Sequence, residues 1–245
     1  MATPQFFKVL DSVDSTNNYA MEQLRAGMAH HGMAWFAHEQ TAGKGQRGKS
    51  WKAQPGKNIA LSLILEPPKI KPSAQFYFSA AIALACFEFF SNYAGDETKI
   101  KWPNDLYWRD RKAGGILIET VFHGKIWKYA VVGIGININQ VEFDDSLKNP
   151  VSLKEITGKD LDTIELANEL YALVMKKTAM LTPASYKETL KQYNHYLYRL
   201  NEKVKLKKGN MVFETTVKGV NNNGQLITVD TMERYFDFGE VAWVL

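Results

Sequence analysis

Gly43-Lys44-Gly45-Gln46-Arg47-Gly48-Lys49-Ser50 satisfies two phosphate-binding patterns at once, G-x-G-x-x-G and G-x-x-x-x-G-K-S. The first would open a dinucleotide fold and the second a nucleotide-hydrolase P-loop. Both need a helix to begin at the loop, so that its free N–H groups and dipole face the phosphates. Here Trp51-Lys52-Ala53-Gln54 runs straight into Pro55-Gly56, and the next periodic segment, Asn58 to Leu65 (NIALSLIL), reads as a strand. A P-loop protein also wants an apolar strand ending in Asp to hold Mg²⁺, whereas the best apolar strand ends in Gly133-Ile134-Gly135-Ile136-Asn137. Both parallel α/β folds are set aside. What remains is local: three glycines that let the backbone approach an anion, with Lys44, Arg47 and Lys49 supplying charge. A solvated basic loop is the plainer reading of that segment taken alone.

Working outward, Gln5 to Leu10 reads as a strand, and Asp14-Ser15-Thr16-Asn17 offers capping side chains ahead of a helix through Tyr19, Met21 and Leu24. Ala34 to His38 is a second strand. Pro67, Pro68 and Pro72 mark a loop, and Ser73 opens a helix over Ala74 to Tyr93, apolar on most faces and including Cys86. From Ile100 the pattern turns to strands: IKW, LYW around Arg109-Asp110-Arg111, GGILIETVF, a His123-Gly124 turn and IWKYAVVGIGINI. The hairpin turn and β-branched runs favour antiparallel pairing. Helices follow over Thr163 to Leu181 and, after Pro183, over Ala184 to Tyr193. Beyond Asn201, short alternating strands ending in VAWVL predict a small β-barrel of about five strands. The expected architecture is α+β: a mixed, largely antiparallel sheet flanked by helices over residues 1–199, and a small C-terminal β-barrel over 200–245.

The 245 residues carry 30 Lys and Arg against 26 Asp and Glu, a net charge of +4, with 45% hydrophobic and 23% charged residues. Such a composition excludes disordered, collagen-like and disulfide-scaffold chains. One cysteine can form neither an intramolecular disulfide nor a cysteine-built metal site, and the five histidines show no metal-ligand spacing. No run approaches the ~20 apolar residues of a membrane span, and the start has no secretory signal pattern, so a cytoplasmic location is expected. The charge excess is too small to imply nucleic acid and equally suits an anionic small ligand.

Lys101-Trp102-Pro103-Asn104-Asp105 is the second informative segment, followed by Arg111-Lys112-Ala113-Gly114-Gly115-Ile116-Leu117-Ile118-Glu119. Trp-Pro sets an extended turn from which Asn104 and Asp105 project, and Lys112 precedes two glycines at a strand start, where its ammonium can be aimed at an anion. Together, Ser15-Thr16-Asn17, Gln40-Thr41-Ala42 leading into GKGQRGKSW, KWPND, RKAGGILIE and GIGININ resemble biotin–protein ligases in order and spacing over residues 9 to 140. Five co-linear motifs are far more specific than the glycine loop.

That resemblance implies a fold like class II aminoacyl-tRNA synthetases and biotin ligases. It also implies a carbon–nitrogen-forming ligase that makes biotinyl-adenylate from biotin and ATP, with Mg²⁺, and then biotinylates a lysine. The implied partner is the biotin carboxyl carrier protein of acetyl-CoA carboxylase or a related enzyme, with neither DNA nor membrane involved; a homodimer through sheet edges is one further expectation. Ser15, Thr16, Asn17, Gln40, Gly43, Lys44, Gly45, Gln46, Trp51, Lys112 and Gly115 match biotin-side positions. Arg47, Gly48, Lys49, Trp102, Asn104 and Asn137 match ATP-side ones, and Lys112, Arg47 and Asp105 are the implied catalytic groups. The chain departs from the family at Lys44 and Gln46, where arginines are usual, so the planar fork is lost at one position and a charge at the other. A motif beginning at Asp14 leaves no room for the DNA-binding module of some relatives. The alternatives are a biotin sensor without turnover, supported only by those substitutions, and a lipoate or octanoate ligase, whose Arg-rich triple-glycine stretch is missing.

Overall fold

Asn58–Leu65 (β3) is buried at all eight positions, which a strand achieves only when both faces of its sheet are covered. The computed structural model describes residues 6–68 and 74–244. The other strands of its sheet are Phe7–Val13 (β1), Ala34–Gln40 (β2), Thr98–Lys101 (β4), Asp105–Trp108 (β5), Arg111–His123 (β6) and Ile126–Asn137 (β7). Their order is β1-β2-β3-β7-β6-β5-β4. Only β1 and β2 run parallel; every other neighbouring pair is antiparallel.

Helix Gln75–Ala94 (α2) and helix Thr163–Ala179 (α4) pack together under the sheet. The apolar residues of α2 extend round most of its circumference and include Phe78, Ile82, Phe89 and Phe90 at full burial. A helix of that pattern belongs inside a core. Helix Thr16–Arg25 (α1) lies against β2, β3 and β7 over a smaller cluster of Ala20, Met33, Trp35, Ile64 and Val131.

Element limits depart from the periodicity in explicable ways. The helix beginning at Thr163 ends at Ala179, and Pro183–Ser185 forms a 3-10 turn before helix Tyr186–His195 (α5). A five-residue helix, Leu153–Thr157 (α3), stands on a capping box between Ser152 and Glu155, a signal too short to show as periodicity. The expected features at Gln5, Pro72, Ser73 and Leu245 lie outside the described residues.

Among the described residues the C-terminal barrel is not formed. Lys203–Lys208 (β8), Met211–Val220 (β9), Leu226–Val229 (β10), Glu233–Phe236 (β11) and Ala242–Val244 (β12) make an open sheet ordered β11-β10-β9-β8-β12, whose edge strands do not pair. Alternation and turns correctly predict hairpins, but closure also requires that the apolar face have nothing else to cover it. Here Leu206, Val217, Val220, Leu226 and Phe236 join the same core as the helices. Asn194 of α5 completes the join, donating from Nδ2 to the Val220 carbonyl at 2.9 Å and accepting its N–H at Oδ1 at 2.7 Å. A sheet already covered on one face gains little by closing on itself.

Candidate active site

Two glycines on one face of β7 make room for the site. Residues two apart on a strand share a face, and Gly133 and Gly135 face α1 and the glycine loop. A Cβ on Gly135 would meet the Trp51 indole at 2.5 Å, and one on Gly133 would overlap the Asn17 amide. Helix and indole therefore lie flat on the sheet, and above them opens a cavity of about 670 Å³.

The cavity's polar end is built from the start of α1 and the end of β2. Gln40 Oε1 accepts from Thr16 N–H at 2.8 Å and from Thr16 Oγ1 at 3.0 Å. Ser62 Oγ lies 2.8 Å from Thr16 Oγ1 and 2.6 Å from Asn17 Oδ1, and Asn17 Nδ2 donates to Glu119 Oε2 at 2.8 Å. Ser15 holds the N-cap position, yet its hydroxyl makes no capping bond. It is buried beside the cavity and available to a ligand. Helix capping therefore accounts for neither the Ser15 nor the Thr16 side chain. Trp51 Nε1 and Gln46 Oε1 are buried without hydrogen-bond partners, an arrangement normally reserved for groups that await a partner.

The glycine loop is a tight hairpin. Gly45 N–H donates to Lys49 O at 2.6 Å and Trp51 N–H to Gly43 O at 2.8 Å, around a 3-10 turn at Gln46–Gly48 where Arg47 adopts a left-handed φ of 56°. No helix follows before β3, in agreement with rejection of the P-loop reading. Lys44, Gly45, Gln46, Arg47 and Lys49 line the cavity; Gly43 and Gly48 support the hairpin behind it.

At the cavity's charged wall Lys112 Nζ and Asp105 Oδ1 form a 2.7 Å ion pair across the β5/β6 ladder. Gly115 lies so close that a Cβ there would be 3.3 Å from Asp105 Oδ1 and 3.6 Å from Lys112 Nζ. Asn137 Nδ2 donates to the carbonyls of Val151 at 3.1 Å and Lys112 at 3.4 Å, so it braces the Lys112 strand. Asn104 Nδ2 and Gln46 Nε2 both donate to Ile116 O, at 2.7 and 3.1 Å.

Several wall residues were not singled out in the sequence. Lys101 is buried, with Nζ 2.9 Å from Tyr107 OH and facing the rings of Tyr107, Trp243 and Tyr198 at 4.3, 5.4 and 5.8 Å. Burial pulls its ammonium down to about 8, against the opposing pull of Asp105. The second sheet contributes the rest. Arg47 Nη1 donates to Gly239 O at 3.0 Å, its guanidinium 5.9 Å from the Phe238 ring, and Trp102 Nε1 donates to Gly224 O at 2.9 Å. The lysine was visible within KWPND. The Phe238–Trp243 wall carries no local sequence signal, because only tertiary docking brings it here.

Residues 9–137 match the Biotin/lipoate A/B protein ligase family. Over 223 residues the chain is 31% identical to the bifunctional ligase/repressor BirA of Escherichia coli, covering 89% of this chain and 68% of that protein. The chain belongs to the biotin–protein ligase family. Another similar protein of the family, the biotin–[acetyl-CoA-carboxylase] ligase of Paracoccus denitrificans, is 30% identical over 89% of this chain and 92% of its own. Among solved structures, the biotin protein ligase from Aquifex aeolicus in complex with biotin and ATP superposes with a TM-score of 0.82 at 27% identity. That match covers 98% of this chain and 99% of the other. As in any biotin–protein ligase, one cavity has to take an acid and a nucleotide together. The polar end, the indole-over-glycine slot and the Lys112–Asp105 wall form one continuous surface.

Proposed function

We infer that this biotin–protein ligase activates biotin with ATP and passes the biotinyl group to a lysine of a biotin carboxyl carrier protein, the carrier of acetyl-CoA carboxylase or a related enzyme, in the cytoplasm. The observation that carries the reading is the sequence of surfaces in one cavity: uncommitted buried polar groups, an apolar slot, then paired charge. A bicyclic urea with a valerate tail presents the complementary order. Its ring meets Ser15, Thr16 and Gln40, its apolar body lies against Trp51, and its carboxylate reaches Lys112.

In the first step a carboxylate oxygen bonds to the α-phosphorus while the bond to the β-phosphate bridge breaks and pyrophosphate leaves. Two anions must meet in line, so the work is positioning and charge neutralisation, with no covalent enzyme intermediate. Lys112 supplies the nearest cation, held in place by Asp105 and by Asn137 on its carbonyl. Lys44, Lys49 and Arg47 add positive potential from the loop. In the second step the carrier amine bonds to the acyl carbon and AMP leaves. A lysine amine is mostly protonated at neutral pH, and Asp105 is placed to orient it and take its proton.

Mg²⁺ would neutralise the triphosphate. Among the described residues no group of three or more His, Cys, Asp or Glu is arranged to hold a metal ion. The described residues thus hold no such cluster, and in this reading the ion arrives with the nucleotide as its chelate. Residues 1–199 form the catalytic unit in this reading, with 200–245 as its partner wall. A homodimer would use the outer half of β6 beyond Gly115, where β5 no longer pairs with it. The testing experiment is biotin-dependent exchange of labelled pyrophosphate into ATP, run with biotin, lipoate and octanoate. A ligase for biotin exchanges with the first acid alone, and a sensor exchanges with none.

A further inference from the structure

Glu119 is a half-buried carboxylate on β6 that does not line the cavity, yet it stands at the end of a hydrogen-bond chain that does. From Glu119 the chain runs through Asn17, Ser62 and Thr16 to Gln40. A carboxylate can only accept. Asn17 must therefore turn its Nδ2 toward Glu119, which leaves Oδ1 facing Ser62. A Cβ on Gly133 would overlap that amide, so the glycine is what admits Asn17 at this place. With Oδ1 as its acceptor, Ser62 is the donor at 2.6 Å. The Thr16 hydroxyl hydrogen is then free to go to Ser62 Oγ or to Gln40 Oε1. Either way the hydrogen is taken by a neighbouring side chain, and the Thr16 oxygen keeps a lone pair for an incoming donor. Gln40 uses Oε1 for Thr16, so its N–H₂ is left over as a donor.

We propose that Glu119 is a positioning residue for the acid's ring. Its fixed acceptor character, passed through Asn17, commits the Ser62 proton to Asn17 and keeps it off Thr16, so that Thr16 can accept; Gln40 is set as a donor separately, by the Thr16 N–H on its Oε1. Together they complement a cyclic urea with N–H donors beside a carbonyl. The inference rests on the assignment of biotin to this end of the cavity. It goes further in locating the origin of ring selectivity outside the cavity wall.

Glu119→Gln is nearly isosteric but can donate. It allows the Asn17 amide to turn over, Asn17 to donate to Ser62, and Ser62 to donate into a lone pair of Thr16. The expected result is an increase of about tenfold in the KM for biotin, the size of one lost hydrogen bond, with kcat and the KM for ATP unchanged. Ser62→Ala cuts the chain, so in that background Glu119→Gln should add no further change. The preference for biotin over biotin methylated at a ring nitrogen should also shrink, and because both acids are measured on one preparation, that ratio is independent of how much protein is folded. An unchanged biotin KM with the N-methyl preference intact, or effects of the two substitutions that multiply, would overturn the proposal. Wild-type protein that neither binds nor activates biotin would instead remove the assignment beneath it.

Discussion

Lys101 sits in surroundings that oppose its ordinary charged state. It is enclosed by three aromatic rings and pulled down to about 8 by burial, so the unfolded chain binds more protons than the folded one between about pH 8 and 10.5. Stability contributed at this site therefore rises with pH through that window and is lowest below pH 8. Replacement by Met should remove this dependence. Urea unfolding of the wild type should gain about 2 kcal/mol from Lys101 between pH 7 and 9.5, and Lys101→Met should lack that gain. Measurement must stop short of pH 10, because burial holds tyrosines such as Tyr107 above their ordinary value, and a raised acid reduces stability above that pH. A gain of equal size in Lys101→Met would refute the burial account. At this scale the sequence was informative where several residue types had to coincide, as in KWPND. It could not show that the lysine is enclosed by Tyr198 and Trp243, from two distant segments.

Strand β7 shows how one element serves both fold and site. Its runs of Val and Ile pair with β3 and β6, while Gly133 and Gly135 leave one face bare so that α1 and Trp51 can settle on it. Gly135→Ala would favour the strand by local propensity but place a methyl against the indole. Its expected outcome is a weakening of biotin binding by tenfold or more in titration calorimetry, with a melting temperature no lower than wild type by more than a few degrees. Unimpaired binding would mean that the slot is not where the acid lies. The glycine-rich strand end was legible in the sequence, but the purpose of its alternation was not, since the partner residues are far away in the chain. The C-terminal hairpins were legible for the same reason that most strands are, through period-two alternation. Their failure to close reflects the helices covering them, and no alternation pattern records that.

Across the whole molecule, the two sheets share one core and one cavity. Arg47 reaches Gly239, Trp102 reaches Gly224, and the Trp102 and Phe238 rings meet edge to face at 6.2 Å. If the acid occupies the end built by α1 and β2, the nucleotide takes the end walled by the second sheet. Phe238→Ala should then raise the KM for ATP several-fold and leave biotin affinity alone; an effect on biotin affinity alone would reverse that placement. We propose that a single cavity joins biotin to ATP through the Lys112–Asp105 wall. The most direct test is exchange of labelled pyrophosphate into ATP by purified wild type and Lys112→Ala. The predicted result is exchange with biotin but not with lipoate or octanoate, reduced by about 10²-fold or more in the variant through loss of charge stabilisation. Absence of exchange with biotin, or a Lys112→Ala rate close to wild type, would contradict it.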